Sequence, residues 1–461
     1  MSNPLRQYIE QHMDEFVADL QAFLRIPSVS AQGGQPILDA AEWLKQRMEK
    51  AGISVQVFSV DGGHPVIYGE IQGEGDETLL NYNHYDVQPP DPLEEWHSDP
   101  FAAEIRDGVL YARGVADNKG SLLSRIHAVE AYKAVYGKLP VTVKFLFEGE
   151  EEIGSPNLAA FVEAHKDLLR ANACIWENAY KDDHGRPTMR LGNKGMCYVE
   201  LRCRVANIDS HSSLATIYPN AAWRLVWALS TFKDQNENIL IEGFYDDVVP
   251  PSEADIEALK RIPANVEEQK ARMGIPQLLS GDDELETNKR LYFYPTCTIA
   301  GIGSGYLGPN SKTVNPAYAF AKVDMRLVAN QDPDDILAKV KAHLKKHGFD
   351  DIEVVSYTHS WPMRTPVDNG FVQVVNAAGR RVYGQEMVIL PSSPGTGPRY
   401  VFRHVRDTMP IVALGVGHAG SQQHAPNENI KLQDYAEAVH HVAEILAEAA
   451  KSGLNPPTNG R

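Results

Sequence analysis

Short apolar strands alternate with helices at both ends of this chain, and a stretch of different character divides the two runs. That alternation constrains the fold strongly, because strands and helices in this order bury their apolar faces in a layered α/β sheet. Leu5, Ile9, Phe16, Leu20, Phe23 and Leu24 recur at helical spacing until Pro27 stops the helix. A second helix is predicted over 36–51, ending near Gly52, and strands over 54–60, 66–71 and 78–83. The turn clusters Asp61-Gly62-Gly63 and Gly73-Glu74-Gly75 separate those strands. Residues 118–136 read as a helix, 141–147 as an alternating strand and 173–176 as a short buried strand.

After about Leu191 the pattern changes. A strand at 196–205, a helix at 220–233, a strand at 318–328, a helix at 333–347 and a strand at 352–357 form an α+β unit of their own. Within it, residues 240–295 are charged, contain proline and are partly helical. The α/β style then returns, with a helix at 370–383, strands at 387–390 and 411–416, and a helix at 432–451. The expectation is a discontinuous α/β domain, 1–193 and 362–461, with a layered mixed sheet, interrupted by an inserted α+β domain, 194–361. Three domains in series would leave the last with little core.

With 461 residues, 43% of them hydrophobic, the chain has enough apolar surface for both cores. Its 61 acidic against 44 basic residues give a net charge of -17, which argues against nucleic acid or an anionic membrane surface as partner. Cys174, Cys197, Cys203 and Cys297 form no Cys-x-x-Cys pair and are too few for a disulfide scaffold, so a reducing compartment is expected. The start, MSNPLRQYIEQHMDEF, is too polar for a signal peptide, and no apolar run reaches membrane-span length. A soluble, cytoplasmic protein is expected.

Chemistry-bearing residues gather where strands end. Asn83-His84-Tyr85-Asp86 follows an apolar strand, where open α/β sheets bind ligands. Asp86 can take the second imidazole N–H of His84 and fix its tautomer; the alternative is a turn with a satisfied histidine. Asp117 precedes a helix, where an aspartate is also a common cap. Glu150-Glu151-Glu152 follows another strand and leads into a tight turn. A cation can hold such carboxylates together while one of them accepts a proton, although most charge runs are solvated loops. Glu177 ends the strand at 173–176. His424 lies in the loop after 411–416, with His418 as a competitor. Two histidines and three carboxylates without cysteine suit Zn²⁺, Mn²⁺ or Co²⁺. They can hold two ions that share one carboxylate, as in two-metal hydrolytic sites.

The segments NHYDVQP, RGVADNKG, EEEIGS and GHAGSQQHAPNE resemble the metallopeptidase family of carboxypeptidase G, aminoacylase, acetylornithine deacetylase, succinyl-diaminopimelate desuccinylase and the cytosolic carnosine-type dipeptidases. The likeness runs in order from Arg25-Ile26-Pro27-Ser28-Val29-Ser30 to His424. The 240–295 segment, KTVNP and DMRLV look most like the dipeptidase branch. The resemblance implies a lid and dimerisation role for the inserted domain, two divalent ions per subunit (zinc first, then manganese or cobalt) and a homodimer. By residue, it implies that His84 and Glu177 ligate one ion, that Glu152 and His424 ligate the other, and that Asp117 bridges them. Glu151 is then the general base acting on a water activated by the two ions, and Asp86 the partner of His84. His211 is implied to reach substrate across the dimer, with Thr313, Arg326, Gly395 and Thr396 as further substrate contacts. Arg326 suits a carboxylate, because a guanidinium binds one bidentately. The implied reaction is cleavage of the amide bond of a dipeptide or short peptide. Glu177 stands where many dipeptidases of this family carry aspartate, and 393–397 replaces the usual Gly-Gly-Ser run. Both departures keep an N-acyl amino acid deacylase or a carboxypeptidase as alternatives, and a catalytically dead binding protein as a remote one.

Overall fold

The structure, a computed structural model, describes residues 3–405 and 409–456. The chain divides into two units. The first comprises Met1–Leu191, Thr365–Pro391 and Val401–Arg461; the second comprises Gly192–Arg364 and Ser392–Tyr400. The short segment 392–400 thus belongs to the second unit, although the sequence on both sides of it belongs to the first.

In the first unit the strands Thr142–Glu148, Thr78–His84, Ala173–Trp176 and Ile411–Ala413 lie side by side and parallel. Val66–Ile71 and Ser54–Phe58 add antiparallel on one side, and Thr188–Arg190 and Val388–Leu390 extend the other, giving eight strands among the described residues. The central strands are buried on both faces: in Thr78–His84 every residue after Thr78 is buried. That is the mark of a parallel sheet covered by helices on both sides. The same covering buries Phe145 and Phe147 together with Leu146 between them, so the alternation read at 141–147 does not mark a solvent face. The helix Leu432–Ser452 packs against Pro4–Leu24, Gly120–Tyr136 and Gly370–Tyr383. All six apolar positions read from the periodicity of the first helix are buried, and Asn3 caps it by accepting from Leu5 and Arg6 N–H. The expected strand at 411–416 stops at Ala413, because Gly415 turns against Ala179 and Arg125 takes the Leu414 carbonyl.

Packing of the last helix carries a pH signature. His441 is buried, 3.0 Å from the Val375 carbonyl through Nε2 and 3.4 Å from the Tyr383 hydroxyl through Nδ1. Burial pushes its pKa down to about 4, against the opposing bond to Val375. The unfolded chain then binds the proton more readily, so this stability is complete above about pH 6.5 and is lost as pH falls through 4. Glu148, pushed up to about 8 by burial, runs the other way, so wild type must be compared with a variant. The destabilisation caused by His441→Gln is expected to be largest at pH 7.5 and to shrink by about 3 kcal/mol by pH 4. Denaturant titrations at several pH values check this; a pH-independent difference would refute it.

The second unit is built on an antiparallel sheet in the order Thr298–Ser304, Tyr318–Leu327, Gly195–Arg204 and Glu353–Ser360. Strict alternation puts Ala319, Ala321, Val323, Met325 and Leu327 into its core, facing helices Ala221–Leu229 and Pro333–Lys346. The helix expected at 220–233 is shorter, ending at Leu229 before Ser230 and Thr231, whose hydroxyls bond back to carbonyls three residues earlier. The segment 240–295 holds helices Glu253–Leu259, Val266–Met273 and Glu284–Phe293, the first closed by a Ser252/Asp255 capping box. No helix among the described residues is long and apolar enough to cross a membrane, and the four cysteines are buried and form no disulfide.

Candidate metal centre

Parallel strands share one carboxyl edge, and the first unit's candidate residues gather there. His84 ends its strand opposite Glu148, which ends the neighbouring one, so Glu150, Glu151 and Glu152 leave the sheet beside it. Glu177 follows Ala173–Trp176 on the other flank, and the His424 loop follows Ile411–Ala413. Asp117 arrives from the turn before Gly120–Tyr136. Gly114 opens that turn at φ +84°, and a Cβ there would lie 2.3 Å from Val87 Cγ1, so only glycine fits. Asp117 adopts φ -130°, ψ 87° within the turn, and its peptide bond to Asn118 is cis. The N-cap position of the helix is Lys119, so the capping alternative for Asp117 is set aside.

Asp117 stands between the two imidazoles. Its Oδ1 is 3.1 Å from His84 Nε2 and its Oδ2 is 3.4 Å from His424 Nε2. Glu177 Oε2 lies 3.8 Å from His84 Nε2, and Glu152 Oε2 lies 3.1 Å from His424 Nε2. The other nitrogen of His84 faces Asp86, 3.1 Å from its carbonyl oxygen and 3.3 Å from Oδ1. With its proton on that side, the ring turns the Nε2 lone pair toward Asp117. The Asp86 carboxylate also accepts from Glu151 N–H at 3.2 Å and Glu152 N–H at 3.0 Å. It therefore fixes both the imidazole and the turn that carries the two glutamates.

The electrostatics of the cluster favour positive charge. Burial pushes Glu151 well above the usual carboxylate range, and Glu177, Asp117 and Glu152 add to the shift. Burial opposes charge on His84, yet its bonds to Asp117 and Asp86 outweigh this and raise its pKa well above the usual value. Bonds to Asp117 and Glu152 push His424 up to about 10, against the opposing effect of burial. Protons are drawn to this place because negative charge exceeds positive. His84, Asp117 and Glu152 present ligand atoms within 4.8 Å of one another, and Glu152 Oε1 is buried without a hydrogen-bond partner. Imidazole nitrogens with carboxylate oxygens are a donor set for zinc-like divalent ions, and a shared Asp117 suits two of them. The residues fit the metal.

His418 is engaged elsewhere, 3.2 Å from Asn429 Oδ1 and accepting from Gly420 N–H. Three supports of the cluster carry no signal in the sequence. Asn178, directly after Glu177, donates to Asp117 Oδ1 at 2.8 Å. Gln88 donates to Glu152 Oε2 at 2.9 Å. Glu428, four residues after His424, is fully buried and accepts from the Asp117 turn.

The remaining candidates lie in the second unit, in two places. His211 and Thr313 meet there, Nε2 to Oγ1 at 3.1 Å, where Ser210–His211 pairs with Val314–Asn315; the imidazole is exposed. Arg326 donates to Thr396 Oγ1 at 2.8 Å and lies 3.3 Å from Asp324. Gly395 spends both backbone groups on its own unit: its N–H on Ser393 Oγ and its carbonyl on Lys194 N–H.

Residues 80–448 match the model of peptidase family M20/M25/M40. The chain is 31% identical to the human Beta-Ala-His dipeptidase over 96% of its own length and 92% of that protein. It is 27% identical to a Cys-Gly metallodipeptidase of Schizosaccharomyces pombe, over 97% of this chain and 98% of that one. Among solved structures, an M20 family metallo-carboxypeptidase from Sulfolobus solfataricus superposes with a TM-score of 0.83 at 41% identity, covering 95% and 99% of the two chains. Human carnosine dipeptidase 1 superposes with a TM-score of 0.72 at 28% identity, covering 97% and 98%. The matched span contains every residue of the His–carboxylate cluster, and the chain belongs to peptidase family M20/M25/M40.

Proposed function

We propose that this chain is a metal-dependent exopeptidase that hydrolyses the amide bond of dipeptides and short peptides ending in a free carboxylate. One observation carries the reading: a single carboxylate, Asp117, stands between two imidazoles, each joined by its own glutamate. His84, Asp117 and Glu177 would hold one divalent ion, and His424, Asp117 and Glu152 the other, with zinc the metal this donor set favours. When bound, the ions supply Lewis acidity for the scissile carbonyl and the attacking water. Glu151 takes the proton of that water and returns it to the leaving amine. Asp86 orients Glu151 through its backbone N–H and fixes the His84 tautomer.

The second unit supports substrate recognition. Arg326, aligned by Thr396 and Asp324, is a receptor for the substrate carboxylate, with Gly395 holding the loop. The protein is a homodimer in this reading. Ile299 and Ile302 lie exposed on the edge strand Thr298–Ser304, and Trp223, Val226 and Trp227 on the helix Ala221–Leu229, an apolar face suited to a second copy. His211 of the partner subunit then stabilises the developing oxyanion, beside the partner's Thr313. Four buried cysteines outside any disulfide fit a reducing compartment, and we assign the protein to the cytoplasm.

A carboxypeptidase acting on longer peptides is the second reading, favoured by the 41% identity to a metallo-carboxypeptidase. A panel of dipeptides, tripeptides, longer peptides and N-acetyl amino acids separates the readings. Dipeptides and tripeptides are expected to have the highest kcat/KM, and C-terminal amidation to abolish cleavage. Arg326→Met is expected to raise KM about 10–100-fold with a smaller change in kcat, from loss of a charged hydrogen-bonded pair. Equal turnover of amidated substrates, or acetyl amino acids as the best substrates, would overturn the proposal.

A further inference from the structure

Glu428 is the most completely engaged carboxylate near the cluster, yet it faces no imidazole. Its Oε2 accepts from Arg113 Nη1 at 2.7 Å and Gly114 N–H at 2.8 Å; its Oε1 accepts from Ala116 N–H at 2.9 Å and Asp117 N–H at 3.0 Å. Its own carbonyl accepts from Ala112 N–H at 3.0 Å. Glu428 is fully buried and Arg113 is 1% exposed, so neither charge has water to fall back on. This position follows from the fold: Asn429–Lys431 pairs antiparallel with Val109–Tyr111, which brings the residue before one strand against the turn after the other. His424 lies four residues upstream of Glu428 on the same loop.

We infer that Glu428 is a positioning residue that locks the Asp117 turn to the His424 loop and so fixes where the two metal ions bind relative to each other. This rests on the two-metal reading above. A bridging carboxylate must present one oxygen to each ion. From one side Asn178 holds the Asp117 side chain, itself held by Asn118 at 2.7 Å; from the other, Glu428 holds the Asp117 backbone. A neutral amide cannot replace Glu428. Each of its oxygens receives two N–H donors, so whichever way a glutamine is turned, its NH₂ meets two donors and Arg113 loses its counter-charge. The turn must then relax, and Asp117 moves with it.

The test is metal affinity. Wild type and Glu428→Gln are equilibrated in metal buffers of zinc alone, and bound metal is measured directly, together with the unfolding midpoint of the metal-free forms. Wild type is expected to bind two ions, and the variant to bind at least one of them about 10–100-fold more weakly, the range for partners that orient metal ligands. Excess zinc should restore part of its kcat while KM for dipeptide stays within about twofold. Unchanged affinities with only a lower midpoint would mean that Glu428 supports the fold alone, and would overturn the inference. Should Glu428→Gln not fold, Glu428→Asp keeps the charge but draws it back by one methylene. The same weakening is expected there, and wild-type affinity would overturn the inference equally. A wild type that binds fewer than two ions defeats the two-metal reading itself, a separate result.

Discussion

Replacing Glu151 with glutamine is expected to lower kcat about 10²–10⁴-fold, the range for removing a general acid–base group, while two metal ions per chain remain bound. The geometry separates these two effects. Glu151 is held through its backbone N–H by Asp86, and glutamine leaves that bond in place. The ion-holding contacts fall to His84, Asp117, Glu177, Glu152 and His424. What the substitution removes is a proton acceptor whose affinity for protons is raised by burial and by Glu177, Asp117 and Glu152. Glutamine also removes one negative charge from a crowded set, so the cluster gains no new repulsion. Metal content and kcat measured on one preparation distinguish the outcomes. Full activity shows that Glu151 is not the base, and a lost ion shows that it is a ligand.

The cluster is legible in the sequence because a parallel sheet places its strand ends together, and a strand end can be read from an apolar run followed by polar residues. His84, Glu151, Glu152 and Glu177 all stand at such ends. Asp117 is legible by position but not by conformation, because its neighbourhood reads as an ordinary helix start, whereas the helix begins at Gly120. Glu428 gives no signal of its own within the His424 loop. Its partners are mostly backbone N–H groups, which carry no side-chain signature, and the ladder that brings them together has only three residues on each side. The strand Thr298–Ser304 is hidden for a related reason: Gly301 and Gly303 interrupt its β-branched residues. Chain order alone puts residues 392–400 in the first unit. The bonds of Lys194 N–H to the Ser393 and Gly395 carbonyls, and of Arg326 to Thr396, hold that segment to the second unit across long separations.

Removal of metal is expected to abolish turnover and to lower the unfolding midpoint by several degrees, both reversed by added zinc. Asp117, Glu151, Glu152 and Glu177 converge on His84 and His424, and this crowding raises the affinity of both imidazoles and of Glu151 for protons. A divalent ion replaces those protons and supplies the partner that the buried Glu152 Oε1 lacks. Ligand present at about 1,000 times its dissociation constant adds about 4 kcal/mol to stability per site. Proton displacement also fixes the sign of the pH dependence. Metal and proton compete for the same imidazoles, whose pKa values are raised, so apparent zinc affinity should increase steadily from about pH 6 to about pH 8, with protons released on binding. Calorimetric titration in two buffers of different ionisation enthalpy counts those protons. An affinity independent of pH, or a midpoint unmoved by zinc, would place the metal away from His84 and His424. Turnover that survives rigorous chelation would remove the metal from the reaction altogether.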